Sequence, residues 1–67
     1  MTATRYPDIT VQLTGTDGNA CAIIGAVLRA LYRAQVPTAE IDKFRDEATS
    51  GDYENVIQTA MRWVDVD

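Results

Sequence analysis

Residues 9–14, ITVQLT, alternate strictly between apolar and polar side chains. Ile9, Val11 and Leu13 point one way and Thr10, Gln12 and Thr14 the other, the pattern of a strand buried on one face. Pro7, just ahead, suits a strand start, where a missing N–H breaks no ladder bond. The tail WVDVD, residues 63–67, alternates again and reads as a short closing strand. Two strands alone make a marginal sheet. The intervening chain must therefore supply a surface for that sheet to lie on. Whether the two segments pair within one chain or across a dimer is open at this point.

The chain between them is helical in pattern. Over 19–34, Ala20, Ile23, Ile24, Val27 and Leu31 share one face at 100° per residue, and Cys21, Leu28 and Tyr32 widen it. The resulting apolar arc covers about half the helix, against the usual ~100° stripe. Arg29 and Arg33, four apart, lie on the opposite side. A second helix begins near AQVPTAEIDKF, with Pro37 in its first turn and Thr38 as N-cap. Its apolar stripe is narrow: Ile41, Phe44 and Ala48, the pattern of a helix lying along the edge of the core. TSGD ends it, and Thr49 or Ser50 is expected to cap a third helix, with Asp52 favoured by the helix dipole. In that helix Tyr53, Val56, Ile57, Ala60, Met61 and Val64 form the expected core stripe.

The predicted architecture is α+β, in the order β-α-α-α-β, with three helices against a short two-stranded sheet. The alternative is a small all-helical bundle with an extended N-terminal arm. One domain spans 1–67, with residues 1–7 as a disordered arm. A chain of 67 residues buries only about 60% of its unfolded surface, so the stability margin is thin. The longest apolar run, Ala20 to Leu28, is too short to cross a bilayer, and no apolar leader core precedes it. A cytoplasmic location away from membranes is expected.

The segments TGTDGNACAIIG, EATSGDY and MRWVDV, in that order, resemble a family of short uncharacterised proteins from bacterial, phage and mobile-element genomes. The resemblance runs from about Ile9 to Val66. It implies a compact intracellular domain and carries over no catalytic residue. In that family a Ser or Thr stands where this chain has Pro37, placed for a capping box with the residue matching Glu40. The departure implies a second helix that starts one residue later or frays.

Chemistry-bearing residues are sparse. There is no histidine, which removes the commonest general base and metal ligand. The ten carboxylates are scattered, and the helical run Asp42, Asp46, Glu47 reads as solvated rather than metal-binding. The single cysteine, Cys21, makes no internal disulfide and reads as a small apolar helix residue. No catalytic residue, metal or cofactor is expected, and the net charge of −4 argues against nucleic-acid binding. Two binding surfaces remain. The flank Cys21, Gly25, Leu28 and Tyr32 is the candidate interface of a homodimer or of a protein partner, and Trp63, off the centre of the third helix's stripe, either caps the core, the favoured reading, or serves as a further anchor for that partner. The turn Gly15–Asn19, with Gly15, Asp17, Gly18 and Asn19 offering backbone N–H groups near a helix N-terminus, is the candidate site for a small anion or nucleotide, helped by Arg29 and Arg33. The spacing matches no known phosphate loop, and the structural reading of the turn is that Thr16 or Asp17 caps the first helix. Arg29 and Arg33 have a similar alternative: ion pairs with Asp42, Asp46 and Glu47 of the second helix.

Overall fold

The computed structural model describes residues 4–12 and 19–66. Its elements run β1 (Tyr6–Val11), α1 (Ala20–Arg33), α2 (Thr38–Ala48), α3 (Tyr53–Trp63) and β2 (Val64–Val66). This is the expected α+β order, and the all-helical alternative is set aside. The two strands pair with each other in the same chain, and they do so in parallel. Tyr6 faces Val64, Thr10 faces Asp65 and Val11 faces Val66, with an irregularity on β1 between Tyr6 and Thr10. Parallel pairing needs a long crossover. Here all three helices form it, with α1 packed on β1, α3 on β2 and α2 against both of these helices.

The arm expected over residues 1–7 is not seen in the part of it that is described, and residues 1–3 lie outside the described residues. Tyr6 and Pro7 belong to β1, and the backbone N–H of Arg5 donates to the carbonyl of Arg62 at 2.9 Å. The cause lies on the far side of the chain: Tyr6 pairs with the start of β2 and stacks on Trp63, contacts that alternation in 9–14 cannot reveal.

Helix ends differ from expectation in instructive ways. Asn19 caps α1, its side-chain oxygen accepting the Cys21 N–H at 2.8 Å. The expected caps, Thr16 and Asp17, lie outside the described residues. At the other end, Ala34 is the C-cap and Gln35 adopts φ 60°, in the left-handed region. The Gln35 N–H donates to Tyr32 O and the Val36 N–H to Leu31 O, the double closure of a Schellman motif. Val36 tucks against the core and Pro37 prevents continuation. That left-handed position is normally glycine's, because a Cβ there meets the following carbonyl. Gln35→Gly is therefore expected to stabilise the fold by about 1 kcal/mol, seen as a rise in chemical-denaturation midpoint at unchanged m value.

Thr38 is the first residue of α2 rather than its cap. Pro37 occupies the N-cap position and makes no side-chain cap bond. Thr49 and Ser50 serve the end of α2, not the start of α3: their hydroxyls donate to Arg45 O at 2.8 Å and Glu47 O at 2.7 Å. Asp52 caps α3, accepting the Asn55 N–H at 3.0 Å, where a carboxylate also suits the helix dipole. Asn55 Nδ2 reaches back to Glu47 O at 2.8 Å. A Cβ on Gly51 would stand 3.0 Å from Asn55 Cβ, so the glycine makes room for this side-chain bridge between α2 and α3.

The core joins Val11, Val27, Leu31, Ile41, Phe44, Ala48, Ala60, Trp63 and Val64. All three residues of the narrow α2 stripe are fully buried. The α3 stripe is rotated from expectation: Val56, Thr59, Ala60 and Trp63 are buried, whereas Tyr53 and Met61 stay about half exposed, at 50% and 56%. Both faces of α3 carry apolar residues at helical spacing. The one nearer Trp63 meets α1 and α2, because the indole fills the space between Phe44 and Tyr6.

Candidate functional site

Two grooves flank α1. The first lies between its N-terminal turns and the α2–α3 junction. It is lined by Ala20, Cys21 and Ile24 on α1, Ala48 at the end of α2, the connecting Thr49, Gly51 and Asp52, and Tyr53 and Val56 on α3, around a volume of about 330 Å³. Its walls are mainly apolar. The groove exists because Asn19 stops α1 at this level and Gly51 keeps the α2–α3 turn tight against Asn55.

The expected interface residues divide around it. Cys21 is exposed and lines the groove. Gly25 and Leu28 are half-buried, and Leu28 packs partly on the core. Tyr32 is 55% exposed at the far end of the same helical stripe. A Cβ on Gly25 would meet only the tip of Arg29, 3.7 Å away, so the position opens outward. Trp63 does not belong to this flank. It is 2% exposed and sits in the core. Its Nε1–H donates to Glu47 Oε2 at 2.7 Å, Phe44 meets it edge-on at 5.6 Å and Tyr6 stacks at 6.0 Å. The Arg5 guanidinium lies 4.5 Å over the ring and pairs with Glu40, which also accepts from the Tyr6 hydroxyl at 3.3 Å. This cage leaves the indole no face for a partner.

The second groove is polar and smaller, about 190 Å³, between the end of β1 and α1. Thr10, Val11 and Gln12 form one wall and Ala26, Arg29, Ala30 and Arg33 the other. It holds two of the residues expected at an anion site, Arg29 and Arg33. Of the others, Gly15, Asp17 and Gly18 lie outside the described residues, and Asn19 is engaged in capping α1. The ion pairs expected between these arginines and α2 do not form. Asp42 pairs with Arg45 on its own helix at 3.7 Å, and Glu47 accepts from Trp63.

Sequence reasoning missed Ile24, Tyr53 and Val56 as groove residues and Thr10 and Gln12 as the wall facing the arginines. The first three were absorbed into core stripes by periodicity. The alternation in β1 did place Thr10 and Gln12 on the face opposite Val11, but which helix stands beside that face is a tertiary matter. Among the described residues no group of three or more Cys, Asp or Glu side chains converges to hold a metal ion. No helix among them is long and apolar enough to cross a membrane. Comparison of the chain with protein-family models, curated proteins and solved structures finds no match.

Proposed function

We propose that this chain is a non-enzymatic interaction module that associates with a second copy of itself through the outer flank of α1 and the adjoining apolar groove. The observation that carries the reading is the groove itself: an open, mainly apolar cleft edged by half-exposed Tyr53, from which Cys21, Gly25, Leu28 and Tyr32 run along one helix. A domain this small gains stability from burying such a surface against another chain. The non-enzymatic part of the reading is supported by the lack of histidine and by the scattering of the carboxylates. The free, exposed thiol of Cys21 supports a reducing, cytoplasmic setting.

Light scattering across a concentration series tests the proposal. The expected mass rises towards twice the 7.4 kDa of one chain. Tyr32→Asp and Tyr53→Asp are each expected to return it to one chain without loss of helical circular dichroism. A single-chain mass at every concentration would rule self-association out. Gly25→Ala separates fold from association. Alanine fits the local space and favours the helix by up to about 1 kcal/mol, so the isolated domain should become more stable. If another backbone packs on Gly25, the same change weakens the dimer.

A further inference from the structure

We propose that the polar groove between the end of β1 and α1 binds a phosphoryl group, with Arg29 and Arg33 as its clamp. The chain has six cationic side chains. Arg5 and Lys43 pair with Glu40, Arg45 pairs with Asp42, and Arg62 donates to Thr59 Oγ1 at 3.2 Å. Among the described residues Arg29 and Arg33 make no ion pair or hydrogen bond. They are nonetheless the two that share a concavity. In a chain of net charge −4, with carboxylates on α2 and α3, two neighbouring free guanidiniums are a local exception. Like charges four apart on a helix repel mildly, and a bound anion converts that repulsion into two charge-assisted contacts.

The residues across the groove suit the same ligand. None of the groove's lining residues is acidic. Thr10 brings a hydroxyl whose present contact, to Asp65 Oδ2 at 3.4 Å, is long enough to be given up. Two planar forks and a hydroxyl offer more donors than the two oxygens of one carboxylate accept. The three terminal oxygens and double charge of a phosphate monoester match them better. The volume, about 190 Å³, holds a phosphoryl group but not a nucleoside, so the rest of an organic phosphate would extend over the surface. Asp65 faces Thr10 across the sheet and its carboxylate is the one that accepts the Thr10 hydroxyl.

The test is a titration of the intact, isotope-labelled protein at low ionic strength, following the Arg29 and Arg33 side-chain N–H signals by NMR. The probes are inorganic phosphate, adenosine 5′-monophosphate and succinate. Saturable shifts are expected with both phosphates and weaker binding with succinate. Arg29→Gln and Arg33→Gln should each weaken phosphate binding about tenfold, as expected for loss of one charge-assisted contact. Both side chains are exposed and unpaired, so neither change threatens the fold. Asp65→Asn should tighten binding about twofold by removing a like charge. Tighter binding of the nucleotide than of phosphate would identify an organic phosphate as the ligand, and equal binding would assign recognition to the phosphoryl group alone. The proposal falls if neither phosphate gives a saturable shift, if binding survives both glutamine variants, or if succinate binds as tightly.

Discussion

Trp63→Ala is expected to leave the domain largely unfolded at room temperature. Removing a buried tryptophan side chain costs about 3–5 kcal/mol. A chain of 67 residues has a total stability of only about 3–10 kcal/mol. The indole also ties together parts of the chain that have little else in common. It touches Phe44 of α2 and Tyr6 of β1, lies under Arg5, and donates its N–H to Glu47. Truncation would leave Phe44 and Tyr6 facing a void and free Arg5 and Glu40 to drift. Far-UV circular dichroism and a urea titration check the result. Trp63→Phe is the informative partner variant, because it keeps an aromatic ring and loses the bond to Glu47. Its cost should be nearer 1–3 kcal/mol, with a cooperative transition retained. A native-like, cooperative Trp63→Ala protein would mean that the core is held by the α1–α2 contacts without the indole.

Removing residues 64–67 is expected to lose about 3 kcal/mol or more and to lower the melting temperature by about 10–25 °C. The deletion is small, yet it takes away the whole of β2. Val64 is fully buried, worth about 1.5–3 kcal/mol by itself, and Val66 packs on the same core. Among the described residues β1 pairs with β2 and with no other strand. Without β2 its backbone groups turn to water and Val11 loses its cover. Amide hydrogen exchange checks the mechanism: Tyr6–Val11 should lose protection while α1 and α2 keep more of theirs. Unchanged protection in β1 would show that the helices, rather than strand pairing, hold it in place.

These two variants bear on the same structural fact. The first and last described elements pair with each other, and the three helices between them are the crossover of a parallel pair. The two grooves follow from that arrangement. One groove opens where α1 begins beside the α2–α3 turn, and the other where α1 passes the end of β1. Their linings share no residue, so the proposed self-association is probed through Tyr32 and Tyr53 and the proposed anion capture through Arg33, while Arg29, whose tip lies beside Gly25, borders both.

Local pattern determined a good deal of this protein. The alternation of ITVQLT and WVDVD, the wide apolar arc of α1 and the Ile41–Phe44–Ala48 stripe are properties of sequence spacing; α1 and α2 stand where that spacing puts them, whereas β1 starts three residues earlier than ITVQLT and Trp63 ends α3 instead of opening β2. A turn rich in Asn, Asp, Ser and Gly marks a helix end from sequence alone. Which of its side chains caps which helix was decided by geometry: Asn19 and Asp52 reach N–H groups, while Thr49 and Ser50 reach carbonyls of the preceding helix. Only the tertiary structure decided the parallel sense of the sheet, the exposure of Tyr53 and Met61 beside a buried Trp63, and the placement of Arg29 and Arg33 beside the end of β1. Periodicity states that a helix has an apolar face but not which of two such faces meets the core. That choice depends on volumes and charges contributed by residues far away in the chain, here Tyr6, Phe44 and Glu47 around a single indole.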